Sequence, residues 1–183
     1  MELDPAARFA SRLARLAPRL SRHARASPPV GLTDPDPDTG ERWDWGQVWA
    51  HLAEFVPYWL RQARSVLAAG AEEPVPFGRT KADPDRVAAI ERDRRTPPLE
   101  LWERLEGHLA DLRVFLEHVP PEGWACRGLH PTLGVMELAE VVERFLVGHL
   151  EEHLVQLDRL AAEGGASPGV SPPGSGSRRG SPR

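Results

Sequence analysis

Residues 141–160, VVERFLVGHLEEHLVQLDRL, decide the fold. Projected at 3.6 residues per turn, Val142, Leu146, Leu157 and Leu160 form one stripe. Arg144, Glu151 and Asp158, with Glu137 and Glu140 just upstream, fall on the opposite side. His149 and His153 are four residues apart and so share a face. That face is the centre of the apolar stripe. This is the pattern of an amphipathic bundle helix in which two imidazoles stand where leucine is usual. A buried histidine can be satisfied by a carboxylate or a carbonyl. Two of them one turn apart need two such partners, whereas a single divalent cation takes both lone pairs. The helix is expected to begin near Thr132 and to stop at Gly164-Gly165.

Upstream the pattern is helical again, with no alternating strand. Asp4-Pro5 reads as a helix start, and Phe9, Leu13, Leu16 and Leu20 give that helix one buried face. Asp44 with Gln47 three residues on is a capping box. It opens a second helix with Trp45, Val48, Trp49, Leu52, Phe55, Val56, Trp59 and Ala63 on a wide apolar stripe. Pro57 lies inside it and predicts a bend or break. A short helix is expected after Asp83-Pro84. A third long helix starts at Thr96-Pro97, presents Trp102, Leu105, Leu109, Leu112 and Leu116, and ends before Pro120-Pro121. Ser27–Gly40 and Gly70–Asp83 read as loops. Four long amphipathic helices in one domain predict an all-α four-helix bundle over residues 1–163. Residues 164–183 hold six Gly, four Pro, five Ser and no acidic residue, and read as a disordered Gly/Pro/Ser/Arg tail.

With 183 residues and 40% hydrophobic content, the chain has material for one core. Its net charge is −4; taking away the tail's +3 (Arg178, Arg179, Arg183) leaves −7 on the body, which argues against a nucleic-acid partner. No run approaches the roughly 18 apolar residues of a membrane span. One cysteine, Cys126, excludes an internal disulfide and a Cys-based zinc finger, and fits a reducing, cytoplasmic setting. Arg outnumbers Lys 22 to 1, a usage associated with GC-rich bacterial genomes.

A zinc site with two histidines wants a third protein ligand. Helical position alone offers His51, at the margin of the second helix's stripe, His108 on the flank of the third, and His23 near the end of the first. It does not choose among them. His118 falls outside its stripe and reads as a surface residue. Gln156, one turn past His153, His130 and Trp124 are candidates for the pocket or for groups supporting the ligands. Trp124 also reads as a plug for the bundle end. Glu54 and Glu152 are candidates for orienting the ligand imidazoles but read first as surface charges.

Three segments resemble the DinB/YfiT-like metalloenzyme family, which includes mycothiol-dependent maleylpyruvate isomerase-like and bacillithiol transferase-like proteins. They are Asp44–Glu54 (DWGQVWAHLAE), Trp124 through Gly134, and His149–Leu157 (HLEEHLVQL). The resemblance implies an up-down-down-up four-helix bundle and a three-histidine metal site. Residue by residue, it makes His51, His149 and His153 the ligands. The chain departs from the family in Pro57, in its long Pro/Asp loop and in its tail.

Three neutral imidazoles leave a divalent ion its full charge, so it polarises what binds in its open position. The ion expected is zinc, with nickel or iron as alternatives. The resemblance implies a transferase or isomerase acting on a small-molecule substrate through a low-molecular-weight thiol, mycothiol or bacillithiol, and a homodimer. The alternatives are a metal-dependent hydrolase, with a carboxylate or His130 as base, and a non-catalytic metal-binding stress protein.

Overall fold

The computed structural model describes residues 4–70 and 72–165. The helix that carries His51 starts where the capping box places it. The Asp44 carboxylate accepts the Gln47 N–H at 2.8 Å, and the Gln47 side chain accepts the Asp44 N–H at 3.0 Å. From there α2 spans Trp45–Ala69. It passes Pro57 without the break the sequence suggests, held by a face on which every residue of the predicted stripe is buried. The first helix, α1, spans Pro5–Arg25 and buries Phe9, Leu13, Leu16 and Leu20. After the strand β1 (Val75–Pro76) come α3, Pro84–Asp93, capped by the Asp83 side chain, and α4, Pro98–His118.

The segment after α4 is not helical to the end. Arg127–His130 (β2) and Gly134–Glu137 (β3) form an antiparallel hairpin, and β1 pairs with β2 in parallel. The last helix therefore begins at Leu138, not near Thr132. The hairpin hid because its alternation is inverted: Gly128 and His130 point inward while Leu129 and Val135 are exposed. A Cβ on Gly128 would lie 2.4 Å from the Phe77 ring, so only glycine lets β2 lie this close to Phe77.

The last helix is α5 (Leu138–Val142), a π-helical turn (Glu143–Val147) and α6 (Gly148–Gly165), end to end. The Gly148 N–H reaches the Glu143 carbonyl five residues back. One extra residue rotates everything beyond it by about 100°. A straight projection puts His149 and His153 at the centre of the stripe and leaves Leu150 and Leu154 off it. In the structure Leu150, Leu154 and Leu157 are buried in the core, and His149, partly exposed, is moved to the flank. The same rotation brings Glu143 and Glu151 onto nearly one face. There Arg12 of α1 spans both, with N–O distances of 2.6–2.9 Å.

Together these elements make the all-α four-helix bundle. α1 and α2 each pack against α4 and α6, so they face one another across the diagonal. Arg12 meets Glu143 and Glu151 while Arg19 and His23 meet Asp158, so α1 and α6 run parallel. His51 meets His149 while Trp59 stacks on Phe145, so α2 and α6 are antiparallel. That is the sense an up-down-down-up order requires. Among the described residues no helix is long and apolar enough to cross a membrane. α6 ends at Gly165, within the Gly164-Gly165 stop that the sequence marks. Beyond it, the predicted tail lies outside the described residues.

Candidate functional site

The loop between α1 and α2 is ordered by its own backbone. Thr33 N–H donates to the Trp43 carbonyl at 2.8 Å, and the Thr33 hydroxyl accepts the Trp43 N–H at 3.0 Å. This fixes Trp43 over two histidines: its ring is 5.0 Å from that of His51 and parallel to that of His153 at 6.0 Å. Below it, α2 presents His51 and α6 presents His149 and His153. The three offer ligand atoms all within 4.8 Å of one another. His149 Nε2 lies 3.2 Å from His51 Nε2 and 3.1 Å from His153 Nε2. The predicted trio is assembled. His23 is instead bound to Asp158 at 2.7 Å, and His108 stays on α4, partly buried near Asp111. His118 is an exposed residue against its own helix.

Each imidazole has a partner three residues on. His149 Nδ1 donates to Glu152 at 3.0 Å and His153 Nδ1 donates to Gln156 at 2.8 Å. His51 Nδ1 faces Glu54 at 3.5 Å. Glu54 is no surface charge: its side chain is 12% exposed and it is paired with the buried Arg79, which lies over the Tyr58 ring at 3.8 Å. Glu152, although exposed, holds His149. The sequence carried this signal as a spacing repeated three times, His-x-x-Glu, His-x-x-Glu and His-x-x-Gln.

These partners fix the protons. With Nδ1–H committed on His149 and His153, their Nε2 lone pairs face each other at 3.1 Å with no hydrogen between them. Burial, with the neighbouring imidazoles adding to it, pushes His51 and His153 well below their usual pKa, so these two stay neutral. The arrangement suits a cation. Bonds of 2.0–2.1 Å at near-tetrahedral angles put ligand nitrogens roughly 3.1–3.4 Å apart. His51 Nδ1 and Glu54 Oε2 are both buried without a hydrogen-bond partner, so a small turn of the His51 ring would join them.

The cluster lies at the wall of a cavity of about 1440 Å³ between the Thr33–Trp43 loop, α2, the β-hairpin and α6. His130 lines it too, stacked on Phe145 at 5.2 Å and Trp59 at 6.1 Å. Its Nδ1 accepts the Thr132 N–H, so its proton is on Nε2, toward the Arg79 carbonyl. Burial lowers its pKa. His130 is thus a neutral wall with its lone pair engaged. Gln156 lines the cavity as well. Trp124 does not: it is buried against Phe9, ring to ring at 5.7 Å, and plugs the bundle end. Cys126 is buried.

In its fold the bundle is like YfiT. Solved structures share this fold. YfiT from Bacillus subtilis, a probable metal-dependent hydrolase with an unusual four-helix bundle topology, superposes with a TM-score of 0.70 at 18% identity, over 91% of each chain. Mycothiol-dependent maleylpyruvate isomerase gives 0.60 at 14% identity, over 83% of this chain and 60% of that longer one. An uncharacterized protein from Clostridium difficile 630 gives 0.61 at 11% identity, over 88% and 98%. No family model matches the sequence, and no curated protein does.

Proposed function

We propose that this chain is a metal-dependent enzyme of small-molecule chemistry, with His51, His149 and His153 holding one divalent cation, zinc first. The observation that carries the reading is the convergence of three imidazoles, with Nε2 of His149 3.1 Å from Nε2 of His153, on a site where burial keeps His51 and His153 neutral. When bound, such an ion supplies Lewis-acid chemistry, lowering the pKa of a bound water to about 7 or ionising a bound thiol. Glu152 and Gln156 hold the Nδ1 protons and so present the Nε2 lone pairs. Trp43 and Phe55 pack edges and faces of their rings on the imidazoles and keep water from that side. The reaction we favour is a transferase or isomerase using mycothiol or bacillithiol. Its support is the cavity, larger than the roughly 300–1,000 Å³ of a single small-ligand pocket and therefore suited to two reactants. A homodimer in the cytoplasm belongs to the same reading. Hydrolysis is the second reading, favoured by the likeness to YfiT along nearly the whole chain.

Metal analysis of purified protein tests the site: we expect about one zinc per wild-type chain and little in His153→Ala. Equal content in both overturns it. Thermal shift with each thiol then separates the reactions. Stabilisation that needs the metal supports transfer. Turnover of esters or amides without thiol supports hydrolysis.

A further inference from the structure

Among the described residues, the cavity that holds the imidazoles also holds one half-buried cation without an ion-pair partner. Arg8, Arg79, Lys81, Arg86, Arg144 and Arg159 line it. Arg79 is paired with Glu54, Lys81 with Asp36 and Asp38, and Arg159 with Asp34. Arg8 and Arg144 are exposed to solvent. Arg86 is half-buried, and among the described residues no carboxylate approaches it within ion-pair distance. Glu41, Glu54 and Asp36 act on it only through space.

Its position is fixed. The Arg86 N–H donates to the Asp83 cap at 2.9 Å, and one guanidinium N–H donates to the Lys81 carbonyl at 2.8 Å. The guanidinium carbon stands 5.2 Å from the centre of the Trp43 ring, the same ring that packs on His51 and His153. Of the five N–H donors on a guanidinium, the others have no protein acceptor among the described residues. A planar fork of free donors in a partly dry site matches a carboxylate.

We propose that Arg86 is the anion-recognition pole of the cavity and takes a carboxylate of the small-molecule substrate beside the three-histidine cluster. The proposal rests on reading the cavity as the substrate site. A monoanion is the better match. The planar fork meets a single carboxylate, and Glu41 nearby, which no cation among the described residues neutralises, disfavours a second negative charge, as on phosphate.

The test uses the full chain freed of metal with a chelator, so that its outcome is read separately from that of the metal analysis. Benzoate, neutral benzamide and inorganic phosphate are titrated by calorimetry. Benzoate is expected to bind wild type, and at least tenfold more tightly than benzamide or phosphate. Arg86→Gln should weaken benzoate at least tenfold, Arg86→Lys several-fold, and the control Arg64→Gln, exposed on α2 outside the cavity lining, not at all. Arg86→Lys keeps the charge, so it reads the loss of the fork even if Arg86→Gln folds poorly. Benzoate affinity unchanged in Arg86→Gln or in Arg86→Lys overturns the proposal. So does benzamide binding as well as benzoate, or phosphate binding more tightly than benzoate.

Discussion

A Cβ placed on Gly148 would stand 2.5 Å from the Glu143 carbonyl oxygen, so Gly148→Ala must move backbone. Two responses compete. Expelling the π turn would restore a regular helix but rotate Leu150 and Leu154 out of the core, at about 1.5–3 kcal/mol each. Keeping the turn under strain costs about 1–3 kcal/mol, the range for overpacking a tight site. The second is cheaper, so we expect a strained π turn and a destabilisation of about 1–3 kcal/mol. That is roughly 2–4 °C of melting temperature per kcal/mol for a chain of this size. Gly107 supplies the control. It lies inside α4 with nothing within 4 Å of a Cβ, and Gly107→Ala should stabilise by about 0.5–1 kcal/mol. Urea unfolding of both variants, followed by circular dichroism on metal-free protein, reads opposite signs. If Gly148→Ala stabilises as Gly107→Ala does, the helix is regular there and the placement of His149 by a π turn is wrong.

The lowered pKa values of His51 and His153 predict acid sensitivity in the metal-free protein. Below about pH 6.5 the unfolded chain takes up protons that the folded one refuses, so stability falls as pH drops and is flat above it. Between pH 7.5 and 5.5 two such groups account for up to about 2.7 kcal/mol, measurable as a shift in urea midpoint; an unchanged midpoint would refute the burial argument. Glu54→Ala leaves the buried Arg79 with only the longer 3.7 Å contact to Asp83 and should cost about 3 kcal/mol while weakening zinc binding roughly 10- to 100-fold. Chemical denaturation and competition with a chromogenic chelator check the two effects.

The long helices were legible because stripe, cap and stop signals agree, as at Asp44 and Gln47. The π turn was not, because periodicity assumes 3.6 residues per turn throughout. Its trace is there all the same in Leu150 and Leu154, which a straight projection places at and beyond the edge of the stripe. The hairpin was missed for the opposite reason: the pleat buries a glycine and a histidine and exposes a leucine and a valine. His149 and His153 could be paired from spacing alone. The third ligand could not, since His51, His108 and His23 all lean inward on their own helices, and only the antiparallel approach of α2 to α6 selects His51. Glu54 was misread because its burial comes from Arg79, which the intervening loop brings in.

Because His149 and His153 are each oriented by a side chain three residues further along α6, two-thirds of the cluster is prepared within that helix before any docking takes place. The tertiary structure then has one quantity left to set, the distance between two rods. That spacing is held next to the cluster by Phe55, whose ring lies 4.8 Å from that of His149, and one turn further by the Trp59–Phe145 stack at 4.0 Å. Affinity at the cluster is in this sense a strain gauge on the α2–α6 joint. Changes in those aromatic spacers would tune it continuously, with every ligand left in place.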